Sequence, residues 1–428
     1  MNLRRGKKPL CANRQTGPVC LIGRREVRAP VYVVLIPIVL IGLSIVIARR
    51  GLVAPLLRRP ITILAAGSAV GFLLNWAEIN IGTSVPMAVA SRFVLGMLVF
   101  TAALQCRLSR LPKVSGIATR LIAICFPLTV IVYWIAGIVI VPDTAFLSAM
   151  AVAMAVSLSG TPTPASALLT APVDPRLVVS SRVEAGAMLP LVLPLIMTVI
   201  GIGLDPDPQR GFFGNAAVAA VMSFAAGGSL GLLAAWFFPL DSGDFPIAPL
   251  ALALGAYALA LIFGFEPVTM MAATGLLYAE EADLSAPVRT RLWRVTESVA
   301  TPFILALFGL AAVPYAILGG GASVWILALI AFLVARRAAR FFTLNTARLA
   351  AHERQFLTWY GGAPGHLTAL VVTYMAVAGL GISDQALSFG VAVVVVGLVV
   401  GRLLDRILIR RLVQQTALAE KRRYGVAL

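Results

Sequence analysis

Ser157-Leu158-Ser159-Gly160-Thr161-Pro162-Thr163-Pro164 interrupts an apolar run that extends over residues 145–169. The two prolines remove two backbone donors, so no α-helix passes through this stretch intact. Unwound backbone inside a bilayer survives only where it is buried in protein or lines a cavity. A second interruption, Trp359-Tyr360-Gly361-Gly362-Ala363-Pro364-Gly365-His366, opens the run 357–380. Paired breaks of this kind, here at Pro162, Pro164, Gly361, Gly362, Pro364 and Gly365, are the sequence mark of inverted repeats whose broken helices cross at a substrate site.

The rest of the chain fits that setting. Of 428 residues, 60% are hydrophobic and only 12% charged, about half the roughly 25% of a soluble domain. A water-soluble enzyme or nucleic-acid binder is excluded on that ground. Windows of about 20 apolar residues, enough to span a bilayer, fall near 31–48, 61–77, 88–106, 117–140, 145–169, 183–204, 215–238, 247–264, 267–279, 296–318, 323–343, 357–380 and 386–409. The expectation is an all-α polytopic membrane protein of about thirteen spans. The interrupted runs are the fifth and twelfth, seven apart, which suits two repeats of five or six helices.

Charge placement tests the count independently. The formal net charge is +17, from 35 Lys and Arg against 18 Asp and Glu. Clusters follow alternate spans: Arg49, Arg50, Arg58 and Arg59; Arg107, Arg110, Lys113 and Arg120; Arg176 and Arg182; Arg289, Arg291 and Arg294; Arg336, Arg337, Arg340, Arg348 and Arg354; then the seven from Arg402 onward. Twenty-five of the 35 thus lie on one side, and the positive-inside rule makes that side, with the C-terminus, cytoplasmic. Residues 1–30 dissent, with eight basic residues on the expected outer side; either the start is placed too early or one span is miscounted, and the regular alternation downstream favours the first. The expected organisation is a basic segment 1–30, a transmembrane domain 31–412 and a tail 413–428. Cys11, Cys20, Cys106 and Cys125 have neither metal-ligand nor disulfide-framework spacing.

Several segments together resemble the monovalent cation:proton antiporter superfamily, of the sodium/hydrogen exchanger type. They are Phe93 to Leu111, Ala251 to Glu280 (ALALGAYALALIFGFEPVTMMAATGLLYAE), Arg291 to Gly309 (RLWRVTESVATPFILALFG), and Arg337 with Arg340 where such proteins carry arginines on the eleventh helix. The resemblance runs from about residue 31 to residue 412. It implies exchange of protons for Na⁺ or K⁺, a homodimer, a cell membrane and no cofactor. Two departures stand out. Thr163 occupies the aspartate position of the fifth-helix break, where these proteins read Thr-Asp-Pro. In Arg182-Val183-Glu184-Ala185-Gly186-Ala187-Met188-Leu189 the structural glutamate is matched by Glu184, but Met188 and Leu189 fall on the ion-binding pair.

Exchange needs a buried group that holds either a proton or a cation. Acids inside spans are few: Glu184, Glu297 and, near an interface, Glu266. Glu184 reads either as a structural ion pair or as a displaced proton site. Glu297 follows Arg294 at the opening of span 10 and is expected at the membrane surface. His366 has an unperturbed pKa of about 6.5; at the break it serves as a proton carrier or as a neutral donor to an unwound carbonyl. Ser159, Thr161 and Thr163 offer uncharged oxygens to an ion, or cap freed backbone groups. Arg337 and Arg340 either pair with Glu184 or anchor the end of span 11, and at least one reads as an anchor.

Two further functional classes stand beside exchange. One keeps the architecture for a transport-incompetent sensor or scaffold, or for a carrier of an anionic or neutral solute drawn to positive half-helix ends. The other is an intramembrane hydrolase using Ser159 and His366. No His-Glu-x-x-His occurs to bind zinc and nothing fixes a nucleophile geometry, so the expectation is a non-enzyme without metal or nucleic-acid partner.

Overall fold

The computed structural model describes residues 60–77, 85–107, 109, 116–140, 146–158, 175–204, 215–237, 247–282, 284–319, 321–345, 349–359, 364–378, 382–401, 404 and 407–414. Among them the chain is helical, with no strand. In order the helices are α1 (Pro60–Trp76), α2 (Val85–Ala103), α3 (Gly116–Arg120), α4 (Phe126–Ile140), α5 (Phe146–Val156), α6 (Pro175–Leu204), α7 (Asn215–Phe237), α8 (Ile247–Phe263), α9 (Pro267–Glu281), α10 (Ala286–Leu307), α11 (Val313–Gly319), α12 (Ala322–Leu344), α13 (Ala351–Trp359), α14 (His366–Val377) and α15 (Asp384–Val396). Single π turns at Leu121–Cys125 and Phe308–Ala312 join α3 to α4 and α10 to α11, and a third at Gly397–Gly401 follows α15.

Among the described residues six stretches are long and apolar enough to span a bilayer: Pro86–Ala103, Gly116–Val139, Ala216–Phe237, Ala286–Leu318, Ala322–Leu344 and Asp384–Gly401. Shorter apolar helices lie between them, so the protein is a multi-pass membrane protein. The expected total of thirteen is not established: span 31–48 lies outside the described residues, as do segment 1–30 and most of the tail. Two helices begin ahead of their expected apolar spans, and the expected break in the twelfth run is present. The helices that carry spans 6 and 10 begin ahead of their apolar windows, at Pro175 and Ala286, because a helix continues past its apolar stretch into polar turns that an apolar window ignores. The twelfth span is two helices, α13 and α14, since Pro364 denies a continuous ladder its donor. Apolar side chains also cover the outside, with Val218, Val221, Met222, Trp236 and Phe237 of α7 exposed. Such an all-round apolar helix is stable in lipid rather than in water.

Close helix contacts hold the bundle together where no aqueous hydrophobic drive acts between helices. α7 lies against α9 through Gly227 and Gly231. A Cβ at Gly231 would stand 2.5 Å from the Thr274 carbonyl oxygen. α9 itself is almost wholly buried. It begins after Gly264, whose φ of 71° is open to glycine at little cost. Glu266 caps it, accepting from the backbone of Val268 at 3.2 Å and of Thr269. The same carboxylate lies 3.2 Å from Arg92 of α2. The π turn at Gly397 accommodates Pro364: a Cβ there would meet the proline ring at 2.7 Å. That seating places the start of α14.

Candidate ion-coupling site at the helix crossing

α5 stops at Val156, and its C-terminal carbonyls point at groups from two other helices. Arg336 Nη1 donates to the carbonyls of Ser157 at 3.1 Å and Leu158 at 3.3 Å. Thr368, in the first turn of α14, donates its hydroxyl to Leu158 at 3.5 Å. The end of one half-helix therefore meets the beginning of another. Unsatisfied carbonyls give α5 a partial negative charge of about 0.5, and the Arg336 guanidinium answers it.

Glu184, on α6, is 2% exposed. Arg340 Nη2 stands 2.6 Å from its Oε1 and 2.7 Å from its Oε2, and Arg336 Nη2 is 3.4 Å from Oε1. Arg340 Nη1 also donates to the Leu357 carbonyl of α13 at 2.7 Å. Both arginines are buried. Burying three charges is tolerable only when each is paired and further hydrogen-bonded. The cluster meets that condition by tying α5, α6, α12 and α13 together.

Arg337 goes elsewhere. Its guanidinium stacks 4.2 Å over the Trp359 ring and 5.1 Å over that of Phe332, with a hydrogen bond to the Phe332 carbonyl at 3.3 Å. Of the two arginines singled out in the sequence, Arg340 reaches Glu184 and Arg337 does not. Arg336 was missed. Helical spacing could have found it, because residues four apart share a face and adjacent ones do not.

His366 is the first residue of α14 and 2% exposed, and its Nε2 lies 3.8 Å from Glu297 Oε1. Glu297 was expected at a helix opening. α10 instead begins at Ala286, which puts Glu297 three turns inside (roughly 16 Å at 1.5 Å per residue). Pro287 beside that start was the available signal, since proline favours the first helical turn. Met188 and Leu189, one turn beyond Glu184, are buried among apolar side chains. Pro364 is buried and Gly365 half-buried beside His366. Ser159, Thr161, Pro162, Thr163, Pro164, Gly361 and Gly362 lie outside the described residues. Among the described residues no group of three or more His, Cys, Asp or Glu could hold a metal ion.

No family model and no curated protein matches this chain. Solved structures do. The sodium proton antiporter MjNhaP1 from Methanocaldococcus jannaschii, determined at pH 8, superposes with a TM-score of 0.65 at 17% identity, over 86% of this chain and 98% of that one. An electron-microscopy map of the same antiporter gives a TM-score of 0.60 at 15% identity, over 91% and 98%. The fold is that of a sodium/proton antiporter. In this antiporter fold the α5–α14 crossing and the Glu184 cluster lie side by side, joined by Arg336. The structural relatives are transporters, not enzymes.

Proposed function

We propose that the chain is a secondary active transporter exchanging a monovalent cation, Na⁺ or K⁺, for protons by alternating access around the α5–α14 crossing. The observation that carries the reading is the meeting of two half-helix ends at Leu158 and Thr368, within the antiporter fold. Broken helices brought end to end are how transporters of this architecture build an ion site. In this reading Glu184 is a fixed tie, because both its oxygens are engaged by Arg340. Thr161, Thr163 and Ser159 then supply uncharged oxygens near the break, while Arg336 and Arg340 hold the surrounding helices. A homodimer in the cell membrane, with the C-terminus in the cytoplasm as the basic-residue alternation has it, completes the proposal.

Purified protein in lipid vesicles tests it. With a pH gradient imposed, adding Na⁺, K⁺ or Li⁺ is expected to collapse the gradient in a pH-dependent manner. A gradient that survives all three cations at every pH overturns the exchange reading and leaves the fold untouched.

A further inference from the structure

The exchange reading needs a proton-binding group. Glu184 is bound twice by Arg340, and Met188 and Leu189 carry no carboxylate. We infer that Glu297 and His366 together form the exchanging site, displaced from α6 to the contact of α10 with α14. The inference rests on the exchange reading for its biological meaning and on the 3.8 Å contact for its chemistry.

The elements around this pair bring little competing charge. α1, α5 and the π turn Phe308–Ala312 contribute no titratable side chain. α2 contributes Arg92, which is paired with Glu266. α15 contributes Asp384, in its first turn. α14 itself carries Tyr374 two turns farther on, within electrostatic reach of Arg92 and Glu266. α10 carries Arg289, Arg291 and Arg294 nearer its start; Arg291 and Arg294 are exposed.

The two side chains divide the work. With Glu297 ionised and His366 protonated, the pair is neutral. A monovalent cation that binds the Glu297 carboxylate repels the imidazolium, and the proton leaves from a ring nitrogen of His366. The result is carboxylate, cation and neutral imidazole, again with net charge zero. One cation enters for each proton released, and only an N–H bond is broken. Exposure follows the same division: Glu297 is 17% exposed and His366 2%, so the carboxylate is the less buried member of the pair. Keeping the site neutral in both states avoids the large cost of an uncompensated buried charge.

The experiment reads proton release directly, apart from transport. The full chain in detergent, in weak buffer with a pH indicator, receives NaCl, KCl or LiCl, with choline chloride as control. Release of about one proton per chain is expected from the wild type with at least one of the three, and none from Glu297→Gln or His366→Gln. Glu297→Asp keeps the carboxylate, so release should persist at higher cation concentration. Thermal unfolding establishes that each variant is folded; should Glu297→Gln fail that check, His366→Gln and Glu297→Asp carry the test. No release from the wild type, or undiminished release from a folded His366→Gln, overturns the pair. Release without transport in vesicles overturns the exchange reading and keeps the pair. Transport by Glu297→Gln with wild-type pH dependence does the reverse.

Discussion

Arg340 Nη2 lies 2.6 and 2.7 Å from the two carboxylate oxygens of Glu184, and the two residues are 1% and 2% exposed. A single nitrogen shared by both oxygens leaves Nη1 to reach Leu357, so one side chain links α6, α12 and α13. Arg336, one turn earlier on α12, adds α5 to the same knot. The arrangement holds the first broken helix in position relative to the second.

Arg340→Ala should therefore destabilise the protein by about 3–5 kcal/mol, because it leaves the Glu184 carboxylate buried and poorly compensated. Arg340→Lys keeps the charge but loses the fork, and should fall between wild type and Ala. Thermal unfolding in detergent measures both. An Ala variant as stable as the wild type would remove the cluster from the account of folding.

Arg336→Gln should cost less than Arg340→Ala. Its contact to Glu184 is longer, at 3.4 Å, and its main partners are the Ser157 and Leu158 carbonyls. A double-mutant cycle with Glu184→Gln should give a coupling energy of about 0.5–3 kcal/mol for either arginine, larger for Arg340. Equal or reversed coupling would contradict the geometry.

Gly231→Leu should prevent correct assembly, since even its Cβ would overlap the Thr274 carbonyl oxygen, which belongs to backbone and cannot swing aside. Gly255→Ala is the matched control on α8, with nothing within 4 Å of its Cβ. Size-exclusion behaviour and unfolding temperature distinguish them: loss of the monodisperse peak for the first, none for the second.

Cys106 should resist thiol reagents. Burial raises its pKa to about 12, with Glu280 pushing in the same direction. A group with a raised pKa stays protonated until the solution approaches that value, and the thiol is a poor nucleophile. In a Cys11→Ser/Cys20→Ser background, maleimide at pH 8 should label the folded protein slowly. Both remaining cysteines should react at once after denaturation. Rapid labelling of Cys106 in the folded protein would contradict its burial.

Trp359→Ala should weaken the hold on Arg337 without touching the Glu184 cluster. A cation–π contact of this kind is worth about 0.5–2 kcal/mol, and Trp359 is 39% exposed. The expected result is a small fall in unfolding temperature with vesicle transport retained.

Membrane class and the break before His366 were legible in the sequence because they depend on composition and on proline chemistry at a fixed position, and the antiporter fold because several segments resemble that superfamily. Helix ends were not, since Ala286–Val295 is too polar for an apolar window and yet forms the first turns of α10. Glu297 therefore lies inside α10 rather than at its opening. The choice among Arg336, Arg337 and Arg340 depends on which face of α12 meets α6. Apolar patterning is uninformative there, because in lipid both faces of a helix are hydrophobic. Pairing of Glu297 with His366 joins residues far apart in the chain, and no local pattern encodes it.

The glycine contact between α7 and α9 sets a mechanical limit. Most helix interfaces carry a layer of side chains that change rotamer as the helices slide. Where Gly227 and Gly231 face backbone, that layer is missing, and a shift along the axis would drive carbonyl oxygens over the ridges of the opposite helix. α7 and α9 consequently behave as one stave. Any rocking motion has to be taken up at boundaries lined by longer side chains.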